Sequence, residues 1–124
     1  GSDEITLVRS YEEACDLLLE KEGNILLTIG SNYVQAFQKI PLDRIFIRVL
    51  PTSKVLAKCE NLGFTPKNII AIQGPFSYDF NCILYQDYQI RYLVTKDSGT
   101  SGGVEEKVQS ALDMGVEVMM IPRV

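Results

Sequence analysis

The residue types best suited to chemistry concentrate in Val94 to Lys107, VTKDSGTSGGVEEK. Thr95, Lys96, Ser98, Gly99, Gly102 and Gly103 place hydroxyls, backbone N–H groups and one cation between an apolar run and an amphipathic one. Such a loop can hold a phosphate, a carboxylate or a ribose by donation. Two shorter stretches share this chemistry: Thr28-Ile29-Gly30-Ser31 and Gln73-Gly74-Pro75-Phe76-Ser77. Glycine suits these positions because a Cβ would hold the backbone away from a ligand, and the ammonium of Lys96 is a compact charge for an anion or for a site of hydride transfer. Glu105 and Glu106 weigh against a simple phosphate nest, since they favour a helix N-terminus but repel an anion there. Neither a Walker A pattern nor a G-x-G-x-x-G fingerprint is present. The plainer alternative is that the three glycines make a flexible connection and the glutamates cap a helix.

Arg48 is the other candidate. It lies in the apolar run Arg44 to Leu50, four residues after Arg44 and therefore on the same strand face. A cation in such a run marks either an edge strand with a solvated face or a residue directed at a ligand. Tyr11, Phe37, Phe64, Phe76 and Phe80 read as core rather than as a platform for a cofactor.

The elements that position these residues follow from pattern. Ser10-Tyr11-Glu12-Glu13 is a capping box opening a helix with Tyr11, Ala14, Cys15 and Leu18 on one face. After a possible extended piece at Ile5 to Val8, the strands are Ile25–Thr28, Arg44–Leu50, Ile69–Ile72, Tyr92–Thr95 and Val116–Ile121. Ser31 or Asn32 can cap a short helix through Val34 and Phe37, Thr52 or Ser53 a second through Cys59, and Ser77 a third through Leu84. A last helix carries Val104, Val108, Ala111 and Leu112. Strands alternating with helices over short connections predict right-handed crossovers and an α/β, three-layer Rossmann-like domain with a five-stranded parallel sheet. Ligands of such sheets sit beyond the carboxyl ends of the strands, which makes the turns after Thr28, Leu50, Ile72 and Thr95 one rim.

At 124 residues the chain has the size of one domain. With 46% hydrophobic and 23% charged residues, and no long apolar run, a membrane role is not expected. A net charge of −4 with scattered Lys and Arg leaves no footprint for nucleic acid. There is no histidine, and Cys15, Cys59 and Cys82 lie far apart, which argues against zinc and against His-dependent catalysis. The cysteines read as small apolar residues of a reducing cytoplasm. Gly1-Ser2 reads as a cleavage scar from recombinant expression, so that the natural chain is expected to extend upstream.

Beyond these physical readings, five segments carry a resemblance. TIGS (Thr28 to Ser31), RVLP (Arg48 to Pro51), IIAIQGPFSYDFN (Ile69 to Asn81), VTKDSGTSGGVEEK and the closing IPR (Ile121 to Arg123) occur in register and order. Together they resemble the second half of the precorrin-6A (precorrin-6X) reductases of cobalamin, or vitamin B12, biosynthesis. The similarity runs from about Leu26 to Arg123, and the ending Pro122-Arg123-Val124 departs slightly from the family's usual Arg-Pro. It implies a cytoplasmic, NADPH-dependent oxidoreductase that reduces one double bond of precorrin-6A or its cobalt-containing counterpart, in a cleft between two α/β domains. Residues 3–124 would be the C-terminal domain, with its N-terminal partner domain absent and the isolated domain inactive. Carried onto these positions, the resemblance implies that Thr28, Gly30, Ser31, Gln73, Gly74, Thr95, Ser98, Gly99, Gly102 and Gly103 bind the cofactor. Arg48, Ser77 and Lys96 would meet the substrate, Arg48 and Lys96 pairing with the carboxylates of the tetrapyrrole or with the cofactor phosphates, and Lys96 or solvent would be the candidate proton donor. The rival class is a non-catalytic module of the same fold that binds nucleotide or tetrapyrrole.

Overall fold

The computed structural model describes residues 5–97, 99 and 105–123. Gly1-Ser2, expected to be a scar, and Ser98, Gly102, Gly103 and Val104 lie outside them. One parallel sheet contains β1 (Ile5–Leu7), β2 (Asn24–Thr28), β3 (Ile45–Val49), β4 (Ile69–Ala71), β5 (Ile90–Lys96) and β6 (Glu117–Ile121), in the order β1-β6-β5-β2-β3-β4. The helices are α1 (Tyr11–Leu19), α2 (Ser53–Asn61), α3 (Tyr78–Asp87) and α4 (Glu106–Asp113). The fold is therefore the expected Rossmann-like one with a sixth strand. The extended piece at Ile5 pairs with β6, Ile5 opposite Val118 and Leu7 opposite Met120. Three residues with an exposed Leu7 carry too little periodicity to be counted as a strand from pattern alone. No helix among the described residues is long and apolar enough to cross a membrane.

Side-chain caps set three helix starts. Ser10 Oγ accepts from the N–H of Glu13 at 3.0 Å, Thr52 Oγ1 from Val55 at 3.2 Å and Ser77 Oγ from Phe80 at 3.0 Å. Glu13 reaches back one residue beyond the capping box, accepting from the N–H of Arg9 at 2.6 Å. The cap expected at Ser31 or Asn32 does not form. Val34–Phe37 is a 3-10 turn without a side-chain cap, and Asn32 Oδ1 instead accepts from Lys58 Nζ at 2.6 Å.

Strand alternation divides the core into two layers. Ile25, Leu27, Ile45, Ile47, Tyr92 and Val94 face α1, α2 and the 3-10 turn, where Cys15 and Cys59 are buried and burial pushes both thiols up. Leu26, Phe46, Leu93 and Val118 face α3 and α4. From β2 the chain steps outward to β3 and β4; α3 then carries it back across to β5 on the other flank of β2. Strand order thus reverses between β2 and β5, and the carboxyl ends of these central strands form the expected rim.

Candidate functional site

Register builds the site. Thr28 lies opposite Thr95, Arg48 lies opposite Ile70, and Leu27 pairs with Ile47, so the next residues, Thr28 and Arg48, continue the same row. Each of the three polar residues stands two positions after a residue of the α3/α4 layer, namely Leu26, Phe46 and Leu93. Period 2 puts all three on that face. A polar row therefore crosses the carboxyl end of the sheet at the switch point.

Above this row opens a cavity of about 710 Å³, lined by Thr28, Gly30, Arg48, Gly74, Asn81 and Lys107 together with Phe76 and the two glutamates at the start of α4. Gly30 adopts φ +78°, a conformation costly for a side chain, and a Cβ there would meet nothing within 4 Å. Its backbone is thus open to whatever enters.

Arg48 decides the character of the floor. β3 lies between β2 and β4, which removes the edge-strand alternative, and the residue is only 9% exposed. Its Nη1 donates to Asn81 Oδ1 at 2.8 Å, and its guanidinium lies 4.1 Å from the centroid of the Phe76 ring. Among the described residues no carboxylate pairs with it. Burial without a counter-charge lowers its pKa. Arg44 does not share that face. It ends a 3-10 turn before β3 and donates from Nε to Gly23 O at 2.8 Å, tying the opposite rim.

Lys107, half-buried in the first turn of α4, is the second cation on this cavity. Burial lowers its ammonium to about 8; Glu105 opposes the shift and Arg48 adds to it. The turn that carries Lys107 is fixed from below by Tyr85 Oη, which donates to Lys107 O at 2.7 Å. Burial pushes the Tyr85 phenol up to about 12, so it stays a neutral donor.

The other expected residues fall around this centre. Ser31 lines, with Gly30, Lys54 and Lys58, an adjoining cavity of about 330 Å³. Thr95 is buried at the end of the polar row. Lys96 is exposed, opposite Ile121, on the rim outside the main cavity. Gly99 donates its N–H to Asp97 Oδ1 at 3.0 Å, and a Cβ there would collide with the guanidinium of Arg123, so the chain's closing arginine packs on the loop. Gln73 and Ser77 are exposed and do not line the cavity. Ser77 acts as a cap: Ser77→Ala is expected to cost about 1 kcal/mol in chemical denaturation while ligand affinity stays unchanged.

Asn81, Lys107 and Phe76 also line the site, without a motif that marks them in the sequence. Asn81, 1% exposed, is a polar residue on the buried face of α3 beside Leu84, a signal that was readable. Phe76 reads as core in the sequence but stacks beneath Arg48 and on Phe80, with 5.3 Å between ring centroids.

Comparison with known proteins places this architecture. The family described as "Precorrin-6x reductase CbiJ/CobK" matches residues 1–124. The cobalt-precorrin-6A reductase of Priestia megaterium is 44% identical over 98% of this chain and 49% of its own length. That of Salmonella typhimurium is 37% identical over 93% of the chain and 44% of its own. The precorrin-6A reductase of Rhodococcus erythropolis is 30% identical over 90% and 42%. A solved structure, "CobK precorrin-6A reductase", superposes with a TM-score of 0.78 at 22% identity, covering 100% of this chain and 48% of that one, and shares the fold. The chain spans about half the length of the curated relatives it matches, and by the match over its whole length it belongs to the precorrin-6x reductase family.

Proposed function

We propose that this chain is the C-terminal half of a two-domain reductase that uses NADPH to reduce one double bond of precorrin-6A in its cobalt-containing form. The observation that carries the reading is Arg48: a buried cation without a carboxylate partner at the floor of a cavity on the switch point, in a chain of this family. Relatives named for the cobalt-containing substrate share 44% and 37% identity, against 30% for one named for the metal-free form, which favours the former.

The residues present fit an anionic dinucleotide and a carboxylate-rich ring. Thr28 and the open backbone at Gly30 suit ribose hydroxyls and phosphate oxygens, with Gly74 on the lining beside Phe76, Thr95 buried behind the row, and Ser31 and Gln73 at the margin. Arg48 suits a carboxylate or phosphate through a planar fork of donors. NADPH, when bound, supplies the hydride. The protein's part is orientation and charge: the sheet edge fixes the polar row, α4 carries a second cation, and the partner half closes the cleft against water. Lys96 ends β5 on the rim and Gly99 follows it; Ser98, Gly102 and Gly103, expected to bind the cofactor, lie outside the described residues. Lys96, exposed on the rim, delivers the proton that accompanies the hydride.

The test is NADPH oxidation with cobalt-precorrin-6A, by this chain alone and by the protein carrying both halves. Turnover is expected only in the longer protein; turnover in neither rejects the reading. In the longer protein Lys96→Ala is expected to lower kcat roughly 10²-fold without shifting the melting temperature, since the side chain is exposed. Unchanged kcat and Michaelis constants would remove Lys96 from the chemistry.

A further inference from the structure

We propose that Arg48 and Lys107 form a two-cation subsite for a single oxyanion group, a carboxylate or a phosphate, on the floor of the main cavity. The inference rests on the reductase reading for the source of the anion; the site itself rests on geometry. Two like charges brought from different elements to one partly desolvated cavity repel, and neither gains an ion pair with a carboxylate among the described residues. Such an arrangement is retained at a cost in stability unless an anion completes it.

The donors of Arg48 support this. A guanidinium has five N–H groups, and one nitrogen is committed to Asn81. Among the described residues the buried side-chain nitrogen without a partner belongs to Arg44, so the remaining nitrogens of Arg48 are not sealed in protein. They open onto the cavity that Lys107 also lines. Phe76 below and Asn81 beside the guanidinium hold its plane, which prepares it for a bidentate oxyanion.

The charged and titratable groups around Lys107 are Arg48 from β3, Tyr85 from α3, and Glu105 and Glu106 from the start of α4. Tyr85 is neutral, Glu105 partly offsets the two cations, and Arg48 disfavours the ammonium. With its ammonium lowered to about 8, Lys107 is partly neutral in the empty site just above that pH. An arriving anion favours the charged form, so binding draws a proton from solvent, and by linkage anion affinity falls as pH rises past 8.

Isothermal titration of the protein at its natural length tests this, with inorganic phosphate and with glutarate as separate probes. At pH 8.5, in two buffers of unlike ionisation enthalpy, the preferred anion is expected to bind with net proton uptake. Lys107→Met should abolish the uptake and weaken binding roughly tenfold, while Lys107→Arg should abolish uptake yet keep the affinity. Tighter binding of phosphate assigns the subsite to the cofactor, and tighter binding of glutarate to the acidic side chains of the ring. Uptake that survives in both variants, or no saturable binding of either anion by the unsubstituted protein, overturns the proposal. Because no turnover is measured, loss of this subsite and loss of the reductase reading are separately visible.

Discussion

Arg48→Met is expected to lower kcat/KM of the two-domain protein roughly 10²-fold, through lost charge-assisted bonds worth about 2–3 kcal/mol, while leaving thermal stability unchanged or raised. Methionine has comparable volume and an apolar stem that can lie on Phe76. Removing the charge relieves a desolvation cost that no ion pair offsets in the free protein. Opposing this, Asn81 Oδ1 loses its 2.8 Å donor, but Asn81 lines the cavity, where water can replace it. The two effects nearly cancel in stability, and the functional loss does not. A structural arginine behaves in the opposite way. Paired melting and kinetic measurements on one preparation decide between them: a loss of more than about 2 kcal/mol of stability with unchanged kcat/KM would show that Arg48 serves the fold alone.

Leu26→Ala is expected to cost about 3–4 kcal/mol in denaturant unfolding. Leu26 is fully buried at the centre of β2, flanked by β5 and β3, and packs in the layer of Phe46, Leu93 and the helices α3 and α4. Both neighbours are held by the ladder, so the cavity left by three lost carbons closes poorly and the cost stays above the low end of the usual range. In a domain whose whole stability is of the order of 5–15 kcal/mol, that is a large share. The substitution also loosens the layer beneath Thr28 and Arg48, so ligand affinity should fall with stability. Ile83→Ala on α3 is the control: with 57% of its surface exposed it should change stability by less than about 0.5 kcal/mol. Equal losses in the two variants would contradict this account of the core.

Periodicity and capping chemistry are local, and what depends on them was legible in the residues. Unbroken apolar runs such as Ile25 to Leu27 signal strands covered on both faces, and Ser10, Thr52 and Ser77 mark their helices correctly. Short connections then restrict the topology to parallel crossovers, and the rim of turns after Thr28, Leu50, Ile72 and Thr95 follows. Where a local signal was weak, as at Ile5 to Leu7 or at Ser31 and Asn32, the outcome depended on a distant partner: β6 in the first instance, Lys58 in the second.

The site shows the same division. Thr28, Gly30, Gly74 and Arg48 were identifiable from their types and places at strand ends. Whether Arg48 lay on an edge or faced a ligand was undecidable in sequence, because strand order is a property of the assembled sheet. Lys107 gave still less warning, as one lysine behind two glutamates at a helix start. Only the packing of α4 against α3 sets it over the floor that Arg48 forms, 59 residues earlier in the chain. By itself the sequence determined the elements, the rim and the family, since these rest on short-range pattern and on motifs. The tertiary structure alone decided which cations share one cavity, because shared burial and the absence of a counter-charge arise from contacts between residues that the chain keeps far apart.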